Sequence, residues 1–132
     1  MPRVEAVIFK KKAEKKILRL ILDDGDDILG SIKSGMGQNS IKECRVEDAG
    51  GEVKHALINF MEGNKYKKMD LRNIQILRAS GNFKLNFGDL WGTMHISTGG
   101  KKPITGTLVA GKAGGGFELK LSFIKEIESK QE

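Results

Sequence analysis

The sequence predicts an α+β domain, a mainly antiparallel β-sheet with one early helix. Three observations carry this. Between Asp23 and Gly37 the apolar residues Ile28, Leu29, Ile32 and Met36 fall at near-helical spacing behind a run of aspartates. Beyond Gly37 the apolar segments are short, often β-branched, and bounded by glycine or asparagine. Finally, Phe117, Leu119, Leu121, Phe123, Lys125 and Ile127 alternate with Glu118, Lys120, Ser122, Ile124 and Glu126. That is the period-2 pattern of a half-buried strand.

In chain order, Val4-Glu5-Ala6-Val7-Ile8-Phe9 is expected as a strand, and Ile17 to Leu22 as a second with Arg19 its only polar break. The lysine-rich stretch between them then reads as a hairpin connection. Asp23-Asp24-Gly25-Asp26-Asp27 ends the strand and opens the helix, because carboxylates cap free N–H groups and suit the positive end of the helix dipole. The spacing predicts a helix from Asp26 to Gly35, with Gly35 and Gly37 as its stop. Ile41 to Val46 is read as a strand running to an Ala49-Gly50-Gly51 turn, and Val53 to Phe60 as the next, ending at a Gly63-Asn64 turn. In Lys65 to Met69 neither face is cleanly apolar, as suits an edge strand guarded by lysine. Asn73 to Ala79 and Phe83 to Phe87 are expected as one long strand broken at Ser80-Gly81-Asn82. Leu90 to Ser97, Ile104 to Ala110 and Phe117 to Ile127 complete the set, with a frayed tail from Ser129.

A length of 132 residues suits one domain spanning 1–132, and 39% hydrophobic with 30% charged residues is ordinary for a folded soluble protein. The longest apolar runs are too short to span a bilayer, and Glu5 and Lys10-Lys11-Lys12 spoil any signal-peptide order, so a cytoplasmic protein without a membrane partner is expected. The single cysteine, Cys44, excludes an internal disulfide. A net charge of +6 invites phosphate binding, with candidate basic turns at Lys10-Lys11-Lys12, Lys67-Lys68 and Lys101-Lys102. Much of the lysine alternates with glutamate, however, as solvated surface does. Any DNA binding is therefore expected to be weak and non-specific.

Three stretches carry a resemblance. Leu18-Arg19-Leu20 precedes the Gly25-Asp26-Asp27-Ile28-Leu29 helix opening; Ile76-Leu77-Arg78-Ala79-Ser80-Gly81-Asn82 follows; Gly106 and Leu108 come last. Their order and spacing, from about Leu18 to Ile124, resemble the plant-and-prokaryote-conserved (PPC) domain, in which a Leu-Ser-Gly pattern and a Gly-Gly-His-Leu segment hold the latter two places. The resemblance implies a compact α+β domain of the stand-alone prokaryotic type, often described as DNA-binding-like, that assembles as a homotrimer. No Arg-Gly-Arg-Pro hook, the minor-groove contact of plant members, is present. Prokaryotic members often carry a His-x-His pair on one strand and a third histidine after Gly-Gly; the matching positions here are Thr93, His95 and Thr107. Three imidazoles converging there would suit zinc. One imidazole with two hydroxyls does not, because hydroxyls are poor zinc ligands, so no metal, cofactor or catalytic residue is expected. His95 reads either as a histidine hydrogen-bonded on a polar sheet face or as part of a pocket for a small polar or anionic ligand, the second making the chain a small-molecule binder or a degenerate metal-site enzyme. His55 is expected at the surface.

Other signals fail. Gly106 to Ala113 approaches a phosphate loop, but Ala113 lacks the hydroxyl that holds magnesium and Gly114-Gly115-Gly116 cannot start a helix, so the segment reads as a flexible strand connection. Asp23 to Asp27 lacks the glycine and glutamate placement of a calcium loop. Cys44 has no nearby histidine to activate it. Trp91 and Phe83 are expected in the core rather than as base-stacking platforms.

Overall fold

The computed structural model describes residues 12–100 and 102–127. The expected strand Val4 to Phe9, Lys10, Lys11, Lys101 and the tail from Ser129 lie outside them. The elements are β1 (Lys12–Leu22), α1 (Ile28–Gln38), β2 (Glu43–Glu62), β3 (Lys65–Asn86), β4 (Asp89–Thr98), β5 (Thr105–Ala113) and β6 (Phe117–Ile127). All pairings are antiparallel, in the order β1-β6-β2-β3-β4-β5, and β5 returns to pair with β2. The α+β expectation holds: one helix and a mainly antiparallel sheet.

Two long strands organise the molecule. The first half of β2, Arg45 to Gly50, pairs with β6, while Val53 to Asn59 pairs with β5. Along its other edge β2 pairs with β3, so β2, β3, β4 and β5 close on themselves. Ala49-Gly50-Gly51 is therefore no turn but the point where one continuous strand changes partner. Gly51 (φ +129°) is needed there because a Cβ would stand 2.6 Å from the Gly116 carbonyl oxygen. Ser80-Gly81-Asn82 likewise does not break β3. At Gly81 (φ +145°) a side chain would sit 2.1 Å from the carbonyl oxygen of Thr93 on β4. In both places the glycine answers to a neighbouring backbone rather than to a chain reversal.

The helix begins at an Asp27 cap, whose carboxylate accepts from the Gly30 amide at 2.8 Å. Of the aspartates, Asp27 acts as the helix cap, as expected, and the others have different partners. Asp26 Oδ2 accepts from the Asp23 amide, and Asp24 pairs with Lys54 at 2.7 Å. The helix runs on through Gly35, three residues past its expected end, because Gly35 is a contact residue: a Cβ there would press on the Leu20 side chain at 2.9 Å. Ile28, Ile32 and Met36 are buried in one core with Leu119, Leu121, Phe117, Val53, Ile76 and Ile96. Lys12 to Lys16, expected in a hairpin connection, instead forms the start of β1, paired with Ile127 to Phe123. Among the described residues one hairpin falls at the expected Gly63-Asn64 turn, and another turns at Phe87-Gly88, where Phe87 is expected to end a strand; each joins strands paired up to the loop. The near-phosphate-loop segment is mostly β5, and only Gly114 to Gly116 connects it to β6.

Candidate functional site

Alternation along β4 sets the geometry around His95. Met94 and Ile96 point into the core, so Trp91, Thr93, His95 and Ser97 share the outward face. In register His95 stands opposite Thr107 of β5 and Ser80 of β3, and Thr93 stands opposite Asn82. The His95 Nδ1 and Thr107 Oγ1 atoms are 3.0 Å apart, a hydrogen bond whose direction follows the ring tautomer. One step along, the Ser97 and Thr105 hydroxyls are 3.1 Å apart. The three sequence-selected residues thus lie on one face, with His95 and Thr107 in contact and Thr93 beside them. That face is solvent-exposed, with Thr107 half-buried.

The donor set does not fit a metal. Among the described residues no group of three histidine, cysteine or carboxylate side chains converges, and at His95 the neighbours are neutral hydroxyls. Arrangements elsewhere are similarly local. His55, half-exposed, contacts Asp70 through Nε2 at 2.6 Å, a partner that sequence spacing does not reveal. Cys44 is buried against Met36, and burial pushes its thiol up to about 11, so it is no ready nucleophile.

The lysines are placed differently from one another. Lys67 and Lys68 lie on β3 in the β2–β3 hairpin, which runs past the last β2–β5 pair at Asn59–Thr107. Lys67 is held by Glu62 at 2.8 Å, while Lys68 is exposed on the opposite face beside Tyr66. Lys102 is exposed in the connection before β5. Lys12 opens β1 and so is not a turn residue.

Phe83 is buried as expected, at 3% exposure, but Trp91 is not: it is 62% exposed, opposite Lys84. Tyr66 is 80% exposed between Lys65 and Lys67, across from Met61. These two aromatic–lysine pairs are functional candidates that sequence reading missed. For Trp91 the signal was present, since it shares parity with Thr93 and His95 while Met94 and Ile96 take the core face.

The description of the Plants and Prokaryotes Conserved (PCC) domain matches residues 9–122. The chain belongs to this family. The PPC domain described here is similar in fold to a metal-containing protein from Archaeoglobus fulgidus (21% identity, 93% of this chain and 89% of that one, TM-score 0.72). It is also similar to a plant- and prokaryote-conserved protein from Pyrococcus horikoshii (19%, 95% and 87%, TM-score 0.66). A candidate DNA-binding protein from Ralstonia eutropha shares the fold as well (14%, 83% and 76%, TM-score 0.64). No protein of curated function matches it in sequence.

Proposed function

We propose that this PPC domain is a homotrimeric binding module that associates weakly with duplex DNA without reading its sequence. The observation that carries the assembly is a set of three exposed isoleucines on a face that also bears Lys15, Lys120 and the Arg19–Glu118 ion pair. Ile17, Ile21 and Ile124, 60%, 65% and 70% exposed, lie on one side of the paired β1 and β6. Large apolar side chains exposed together on a sheet are commonly covered by a partner, and three-fold closure would cover each copy's isoleucines in turn.

DNA affinity rests on charge and on the exposed aromatic–lysine pairs. Lys68 beside Tyr66 supplies a cation for phosphate next to a flat ring, and Trp91 offers a second ring opposite Lys84, whose ammonium is shared with Glu43 at 3.4 Å. A trimer presents each three times, and multivalency raises weak phosphate binding without any new contact. That relatives of the same fold are described as candidate DNA-binding proteins adds support. Among the described residues no recognition helix is available, since their one helix packs its apolar face on the core. The expected Kd is therefore on the order of micromolar or weaker at physiological salt, as for non-specific association. Titrating labelled duplexes of different sequence at several salt concentrations is the test. Steep salt dependence with little sequence preference supports the proposal; no binding even at low salt removes DNA from it.

A further inference from the structure

A large groove lies away from His95. β6 leaves β2 after the Arg45–Ser122 pair, while β6 continues along β1 to Ile127 and β2 continues along β3 to Glu43. The strands diverge into a wedge-shaped groove of about 1480 Å³, closed at one end by Asn39, Ser40 and Ile41 after the helix. Its apolar wall includes Ile41, Cys44, Phe83, Leu85 and Phe123. Its charged residues are Lys15, Lys16, Lys42, Arg45, Lys84 and Lys125 against only Glu43 and Glu47, an excess of four positive charges. Both carboxylates already have cations, Glu47 with Lys15 at 3.1 Å and Glu43 with Lys84 at 3.4 Å. Glu47 also accepts from the Ser122 hydroxyl at 2.6 Å, and Ser122 is only 5% exposed, so this part of the groove is built rather than loose surface.

One wall of the groove is a sheet edge. Among the described residues nothing pairs with β6 on the β2 side beyond Ser122, so the backbone at Phe123 to Lys125 offers hydrogen-bonding groups to whatever lies there. We propose that this groove binds an extended acidic peptide, which adds as a strand to the exposed edge of β6. Main-chain hydrogen bonds to the edge would supply affinity, the apolar wall would take alternate side chains, and the cationic rim would select carboxylates on the others. Charge complementarity alone would also admit single-stranded nucleic acid. Bases need exposed aromatic faces to stack on, however, and the groove's rings are the buried Phe83 and the half-buried Phe123. A strand edge beside the cationic rim favours a peptide. The site goes beyond the DNA-binding reading and does not depend on it, though its lining includes Lys84, which stands opposite Trp91, and Ile124, one of the exposed isoleucines.

The test titrates ¹⁵N-labelled full-length protein with an acetylated octapeptide of alternating glutamate and valine. Parallel titrations use its glutamine counterpart and an oligothymidylate of equal length. The expected result is saturable binding of the glutamate peptide, shifts in the 41–45 and 122–125 signals, and slowed amide exchange at 123–125. The glutamine peptide should bind at least tenfold more weakly, and so should the glutamate peptide with a K42E/R45E variant. Both substituted side chains are exposed, so folding should survive; an unchanged amide spectrum away from the groove confirms it. Undetectable binding, binding indifferent to the charge reversal, or shifts elsewhere would overturn the proposal. Tighter binding of oligothymidylate at the same signals, or protection of those amides by self-association before any peptide is added, would overturn it in favour of nucleic acid or a second copy.

Discussion

Around His95 the side chains are two imidazoles short of a three-histidine metal centre. Thr107 lies directly across from His95, and Thr93 shares its strand face. Imidazoles at those two positions would therefore converge with His95. A T93H/T107H variant is expected to take up near-equimolar zinc, while the natural sequence carries none at this site; elemental analysis of chelator-free preparations checks both. Two surface carboxylates contribute to the acid response. Glu47 is held below the ordinary carboxylate range by the Ser122 hydroxyl and then by Lys15, and Glu118 by its bidentate contact with Arg19. The folded chain then binds fewer protons than the unfolded one, so their stabilisation is complete above the ordinary value of 4.5 and is lost as pH falls through the lower folded values. Urea midpoints should drop as pH falls below about 4.5, and an E47Q/E118Q variant should show a shallower drop.

Elements with local causes were legible in the sequence. The helix follows from apolar spacing and an aspartate cap, β6 from alternation, and the Gly63-Asn64 hairpin from its loop residues. Glycines that answer to distant backbone were not. Gly35, Gly51 and Gly81 look like a stop, a turn and a break. Their neighbours are Leu20, Gly116 and Thr93, contacts that exist only once the sheet has formed. Trp91 was misplaced for a different reason: its bulk suggested burial, while the strand's parity decided otherwise. The cause assigned to Gly81 makes a prediction. An alanine there meets the Thr93 carbonyl and a backbone conformation that side chains rarely adopt, so G81A should cost roughly 2–4 kcal/mol in urea unfolding. A cost below about 0.5 kcal/mol, the range of a neutral surface change, would mean that the close approach is not what requires the glycine.

For the molecule as a whole, the sequence carried the fold class and the family but not the surfaces. Whether a lysine is spent on a nearby glutamate, as Lys67 is on Glu62, or faces solvent beside a ring, as Lys68 does beside Tyr66, depends on register. The basic groove is likewise invisible in the chain order, since it arises where β6 parts from β2. What would link the surfaces is the proposed assembly. In the proposed trimer the exposed isoleucines on β1 and β6 would be covered, and repeated presentation of weak cationic contacts would lift DNA affinity to a measurable level. Sedimentation equilibrium at micromolar protein tests that claim most directly. The account predicts a single species at three times the 14.5 kDa chain mass, and that I17E/I21E shifts it toward the monomer. A monomer mass for the natural sequence would contradict it.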